Sequence, residues 1–310
     1  MNSSTPYQTG TIKTSPHEEH IRRALLSGMI LEVSCHPSPG LVSPFSTGSH
    51  SDMNYYSFIL STAAIAPLLE VCVRAGYDWN GSDDLLSSLR PAGLSAEKAM
   101  FEANGGVNTQ KGIIFLAGIV AASAGWISRQ QGHLEAEKVC DGVAAIGAGL
   151  IQRELQNHSN VPSKTMTQGE HWYHKAGIAG IRGEAENGLP SVLHTGLPVF
   201  SETLRDHSLN TAMVQALLHL MTVVEDTTVL ARAGMDGHEF VKKSARRVLS
   251  LGGLHTDAGQ EALAEMEKAF IQRRISPGGS ADLLAITIAL WMMEHGSLSL
   301  QQIVDHPVIT

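Results

Sequence analysis

Five stretches of the chain concentrate residues able to bind phosphate, metal or a sugar hydroxyl. In Gly105-Gly-Val-Asn-Thr-Gln-Lys-Gly112, two glycines let backbone amides approach a ligand, and Asn108, Thr109 and Lys111 add donors. A helix is expected to start just afterwards, so its free N–H groups and dipole would face the same place, which suits a phosphate. It is not a Walker A loop, because Lys111 follows Gln110 rather than a glycine. The plainer reading is a Gly-Gly turn, an Asn or Thr helix cap and a solvated lysine. In Ser276-Pro-Gly-Gly-Ser-Ala-Asp282, Ser280 is expected as an N-cap with Asp282 in the first helical turn. There an acid either complements the helix dipole or serves as a magnesium ligand or ribose contact. In segment 177–188, Gly177, Gly180 and Gly183 recur every three residues. They form a smooth face if helical; in a loop they would place Arg182 and Glu184 beside an anion and its metal, and both readings stay open.

An almost wholly apolar stretch, 211–224, runs straight into Glu225-Asp226-Thr227. A carboxylate at the end of a buried helix is costly unless paired, metal-bound or catalytic. At a helix C-terminus it also opposes the dipole. The competing role for Asp226 is a salt bridge to Arg232. Glu32, at the end of its own apolar stripe, invites the same argument more weakly, and it leads into Pro37-Ser-Pro-Gly-Leu-Val42 and Gly48-Ser-His-Ser-Asp52. Other signals carry less. His171 and His174 are one helical turn apart, without a zincin motif. His50, Ser51 and Asp52 have triad chemistry, but neighbours in sequence cannot converge on one another, and there is no Gly-x-Ser-x-Gly elbow.

Helices must position these segments. Apolar residues recur at helical spacing at Ile21, Ala24, Leu25, Met29 and Leu31, and again over 55–75 (with Pro67 an expected kink), 110–127, 135–154, 191–204, 211–225, 239–250, 256–271 and 281–294. Two-residue alternation is scarce, and no linker-like stretch interrupts the series. The expected fold is all-α, a single-domain multi-helix bundle with ligand-binding loops at helix ends. Residues 1–16 read as a flexible tail and 17–310 as the helical domain.

Composition sets limits. Lys+Arg number 22 against 30 Asp+Glu, a formal net charge of −8, and aromatics are 5%. Such a chain is a poor general nucleic-acid binder. At 43% hydrophobic and 17% charged it is not disordered. Glycine, 30 of 310 residues, exceeds the roughly 7% that is usual. Cys35, Cys72 and Cys140 have no metal-type spacing and suit a reducing cytoplasm. The longest apolar run, 112–126, is about 15 residues, shorter than a bilayer requires. A cytoplasmic protein without a membrane role is expected; the sequence allows a homodimer and does not specify one.

Taken in order, these segments resemble the ATP:dephospho-CoA triphosphoribosyltransferase family. The resemblance rests on Pro37-Ser-Pro-Gly-Leu-Val42, Gly48-Ser-His-Ser-Asp-Met53, Leu89-Arg-Pro, Gly106-Val-Asn-Thr-Gln-Lys-Gly112, Gly180-Ile-Arg-Gly-Glu-Ala-Glu186, Asp226-Thr227 and the 276–283 segment. Gln110 stands where the family usually has His, Ser38 where it has Lys, Thr228 where it has Asn, and Ala233 interrupts an Arg-Gly-Gly. The resemblance implies an all-helical fold, magnesium-ATP as donor, 3'-dephospho-CoA as acceptor and release of adenine. It also implies a product that a holo-acyl-carrier-protein synthase or transferase attaches to citrate lyase or malonate decarboxylase. On that footing Lys111, with Gly105, Gly106, Asn108 and Thr109, would hold the triphosphate, Arg182 would be a second phosphate clamp, and Gly278, Gly279 and Ser280 would bind the nucleotide; Asp226 and Glu184 would share magnesium or, in one case, supply a base. Asp282 would meet ribose or metal, and His50, Asp52 and Glu32 would lie on the acceptor side. The alternatives are a metal-dependent N-glycosidic hydrolase of ADP-ribose or nucleoside type and an inactive nucleotide-binding paralogue.

Overall fold

The computed structural model of the protein describes residues 15–156 and 166–304. Helix α1 (Pro16–Ser34) starts on a capping box, in which Ser15 Oγ accepts from the Glu18 amide at 3.1 Å and Glu18 Oε2 from the Ser15 amide at 3.3 Å. Ser15 and Pro16 therefore belong to the start of α1, and residues 1–14 of the expected tail lie outside the described residues. There follow α2 (Tyr55–Asp78), α3 (Leu85–Ala103), α4 (Lys111–Gln131), α5 (Ala136–Gly147), α6 (Gln168–Ala176), α7 (Gly180–Glu186) and α8 (Leu197–Asp206). Next come α9 (Leu209–Val223), α10 (Thr227–Ser250), α11 (Asp257–Arg273), α12 (Gly278–His295) and α13 (Leu300–Val304). No strand occurs among the described residues, and the fold is all-α as expected.

The core is built on α4 and α12. Every residue from Leu283 to Met293 is buried, so α12 is apolar all round and must lie inside other helices. Helix α1 lies along α12, α2 along α4 and α3, and α9 against α8, α10 and α12. The crossings are close. A Cβ on Gly28 would overlap the Ala285 carbonyl, and one on Gly76 the Ala122 carbonyl. Part of the glycine surplus is therefore spent on helix contact rather than on ligand loops.

Several boundaries differ from expectation. Helix α3 was not in the series, although Leu85, Leu89, Ala96 and Met100 are its buried face. Helix α2 continues through Pro67. Segment 191–204 divides into a π-helical turn (Val192–Gly196) and α8. Helix α10 begins at Thr227 and breaks at Gly234, whose φ of 65° and ψ of −167° are not helical. The three cysteines are free and buried. The membrane expectation also needs correction, since α2 and α4 are each long and apolar enough to cross a bilayer by length and composition. The most apolar part of α4 is 78% buried within the protein, and that of α2 39%.

Candidate functional site

The N-termini of α4, α10 and α12 and the C-terminal turn of α1 converge on a cavity of about 430 Å³. Glu32 enters it from α1, Gln110, Lys111 and Gly112 from the start of α4, and Thr228 and Arg232 from α10. Gly278, Gly279 and Asp282 enter from α12, Arg182 from α7, and His50 and Met53 from the loop after α1. That loop is pinned to both sides. Asn210 accepts from the His36 amide at 3.0 Å and donates back to its carbonyl, and Ser49 Oγ donates to the Ile275 carbonyl at 2.6 Å.

Two carboxyl groups form the floor. Glu32 is 9% exposed, and burial pushes its carboxyl up to about 8. Asp282 is raised well above the usual carboxylate range, first by burial and then by the negative charges of Glu32 and Asp226. No described residue gives either side chain a hydrogen bond or an ion pair. Asp282 reaches this place because residue 112 is glycine: a Cβ there would overlap its Oδ2. With Glu32 raised by burial and Asp282 by burial and by the charges of Glu32 and Asp226, the pair sustains at most one negative charge easily at neutral pH.

Asp226, expected to cap the wrong end of α9, instead precedes α10 as its N-cap. Its Oδ1 accepts from the Thr228 and Val229 amides at 3.0 and 3.2 Å. Its Oδ2 accepts from the Ser280 amide at 2.9 Å and the Ser280 hydroxyl at 3.2 Å. The carboxylate complements two helix N-termini and is 1% exposed. It does not line the cavity and does not pair with Arg232, which donates to His50 Nδ1 at 3.2 Å and to the Ser49 carbonyl at 3.5 Å. Ser280 is not a cap; Pro277 holds that position and Ser280 lies inside α12. Asp282 therefore lies beyond the first turn.

The 177–188 segment resolves towards helix. Gly177 is the left-handed C-cap of α6, with φ 72°, and Gly180 and Gly183 lie within α7, where a Cβ on Gly180 would press on Thr227. Glu184 accepts from the Ser191 amide at 3.1 Å and the Ser191 hydroxyl at 2.5 Å. Burial raises its carboxyl more than those bonds lower it. It does not line the cavity. Arg182 does, and its Nε donates to Glu154 at 2.8 Å. Among the described residues no group of three or more His, Cys, Asp or Glu is placed to hold a metal. The lone pairs of Asp226 are already taken by four donors.

In the 105–112 segment the plainer reading holds for part. Gly105 and Gly106 adopt φ of 60° and 89° and finish α3, the Gly106 amide donating to the Phe101 carbonyl at 2.8 Å. They lie away from the cavity lining. Asn108 Oδ1 accepts from the Lys111 amide at 3.1 Å, and Thr109 pairs with the Ser61 hydroxyl. Asn108, Thr109 and Lys111 all line the cavity, Lys111 held by Glu97 at 2.5 Å. Gln110 is buried and bonds Thr62. In the same lining His50 accepts from Arg232 on Nδ1, so Nε2 carries the proton and donates to Ser276 Oγ at 2.8 Å. Burial, aided by Arg232, lowers this imidazole to about 4, and it is neutral at pH 7. Asp52 is 59% exposed, 3.8 Å from His50, and outside the lining. Ser276, Thr228 and Arg232 were not singled out as site residues from the sequence. Arg232 follows Asp226 by six positions, and that spacing carries no recognisable motif.

Fold and cleft together define an all-helical protein whose ligand site has an acidic floor and a cationic rim, at converging helix ends. The family described as ATP:dephospho-CoA triphosphoribosyl transferase matches residues 18–300, and the chain belongs to it. It is 38% identical over 283 residues to the 2-(5''-triphosphoribosyl)-3'-dephosphocoenzyme-A synthase of Klebsiella pneumoniae, covering 90% of this chain and 93% of the relative. Probable synthases of the same name from Malonomonas rubra (37%, covering 91% of this chain and 90% of the relative) and Photobacterium profundum (40%, covering 86% and 84%) are similar. As a member of this family the protein is an enzyme of the transferase class. No solved structure matches the chain.

Proposed function

We propose that the protein moves the 5-triphosphoribosyl group of ATP onto the ribose 2'-hydroxyl of 3'-dephospho-CoA and releases adenine. The observation that carries this reading is the pair Glu32 and Asp282, two carboxyl groups without partners beneath a cleft rimmed by Lys111, Arg182 and Arg232. Transfer breaks the bond from the anomeric carbon to adenine and forms one to the acceptor oxygen. The hydroxyl proton must leave as that bond forms, and adenine leaves with a proton gained. Glu32, whose affinity for protons is raised to about 8, takes the hydroxyl proton as general base. Negative charge below the sugar favours the oxocarbenium character of the transition state. A single displacement inverts the anomeric carbon and needs no sugar-enzyme bond. His50, with both ring nitrogens engaged, positions rather than transfers protons.

Magnesium belongs to this proposal. Asp282 fits it: a hard oxygen donor without another partner, raised first by burial and then by neighbouring negative charge, the second of which a divalent cation would relieve. Magnesium needs only one or two carboxylates when substrate phosphates complete its shell. When bound it would neutralise triphosphate charge. Two polyphosphates require several cations, and Lys111, Arg182 and Arg232 line the cavity from α4, α7 and α10. The product would be the prosthetic-group precursor of a citrate lyase or malonate decarboxylase, passed to a holo-acyl-carrier-protein synthase or transferase in the cytoplasm.

The test is to incubate the protein with magnesium-ATP, with and without dephospho-CoA, and quantify adenine. Release only with dephospho-CoA is expected. Release to water without acceptor would instead support an N-glycosidic hydrolase, and tight binding without turnover an inactive paralogue. A second expectation concerns Gly112→Ala. The added Cβ displaces the Asp282 carboxylate rather than backbone. Adenine release should fall by at least about tenfold with a melting temperature close to wild type. Unchanged release would remove Asp282 from the chemistry.

A further inference from the structure

A second depression opens from the cleft between α2, α3 and α4. It has a volume of about 190 Å³ and shares Lys111 and Phe115 with the main cavity. Its wall is aliphatic, formed by Leu68, Leu89, Leu94, Ile114 and Ile119. Leu94 is 61% exposed. The rim is charged: Glu97 holds Lys111 at 2.5 Å, and Glu154 holds both Arg182, at 2.8 Å, and Arg90. Cations and their acidic holders thus lie at the junction of a polar cleft with an apolar groove.

We infer that this groove takes the pantetheine arm of the acceptor, with the acceptor's diphosphate at the Lys111–Arg182 junction. The inference rests on the transfer reading above and adds a subsite to it. An acceptor of this class runs from ribose through diphosphate to a slender chain with a gem-dimethyl group and an aliphatic thiol end. The order of surfaces is the same: carboxyl floor, cations, aliphatic trough. The amides and hydroxyl of such an arm can face the charged rim while its methyl groups leave water. This assignment leaves Arg232 and the uncapped start of α12 to the donor's triphosphate. It moves Lys111, which the family resemblance had given to the donor's triphosphate, to the acceptor's diphosphate.

Two substitutions read the groove without touching the floor. Gly93 lines it, lies within α3, and has open space where a Cβ would stand, so Gly93→Leu fills the trough without backbone strain. Leu94→Glu places a charge on the exposed part of the wall. Titration calorimetry with dephospho-CoA and with ADP, which lacks the arm, separates the contributions. Wild type is expected to bind dephospho-CoA more tightly than ADP. Each variant should weaken dephospho-CoA by about tenfold, or about 1.4 kcal/mol, and keep wild-type affinity for ADP. Equal affinity of wild type for the two ligands, or unchanged dephospho-CoA binding in both variants, overturns the inference. Wild-type protein that shows the expected affinities and yet releases no adenine overturns the transfer reading alone.

Discussion

Glu32→Gln is expected to stabilise the protein while stopping its chemistry. The carboxyl ionises near 4.5 in the unfolded chain and at about 8 in the folded one. Folding therefore carries a penalty that is absent below pH 4.5, grows as pH rises, and levels off above about 8. Each unit of such a shift corresponds to about 1.4 kcal/mol. Allowing for relaxation of the cleft, glutamine should add about 2 kcal/mol at pH 8 and almost nothing at pH 4. Thermal melts across that range check the sign: the gap between variant and wild type should widen as pH rises. The same substitution removes the general base, so kcat/KM for adenine release should fall by about 10²–10⁴. In wild type a base must be deprotonated to work, and kcat/KM should climb with pH up to about 8. A glutamine variant that turns over normally, or a wild-type profile flat from pH 6 to 8, would move the base elsewhere. Greater stability with lost activity is the signature of a group kept for function.

Asp226→Ala should have the opposite signature. It removes the N-cap of α10, worth about 1–2 kcal/mol, and strands two buried donors of Ser280, a further 1–3 kcal/mol. A loss of about 2–5 kcal/mol follows, visible as a lowered urea midpoint, and activity should disappear in step with folded protein. A variant with wild-type stability and no turnover would return Asp226 to the chemistry and remove its architectural role.

These two acids show how far the sequence could be read. Asp226 and Asp282 look alike in one dimension, since each sits in a motif at a helix edge. What separates them is whether amides point at the carboxylate, and that depends on where α10 and α12 meet in space. A helix expected two residues too late, at 211–225 rather than Leu209–Val223, was enough to put Asp226 at a C-terminus instead of an N-terminus. The helical class was plain because apolar residues recur at helical spacing through most of the chain. Helix α3 escaped because Pro91 and a run of small polar residues interrupt its stripe. Lys111, Arg182, Glu32, His50, Gly278, Gly279 and Asp282 do meet at one cavity, whereas Gly105, Gly106 and Asp52 do not. Arg232 and Ser276 were illegible because their role arises from a contact with His50 across about two hundred residues of chain.

The place where the floor is built has an evolutionary consequence. Glu32, Gly112 and Asp282 ride on α1, α4 and α12, the helices that also form the core and cross one another at glycine contacts. Drift at the floor is therefore coupled to foldability, and few sequence paths can alter it. The α3 wall of the aliphatic trough and the 36–53 loop touch the same ligand site from outside those three helices. New acceptor specificities, natural or engineered, should arise there, with the reacting floor inherited intact.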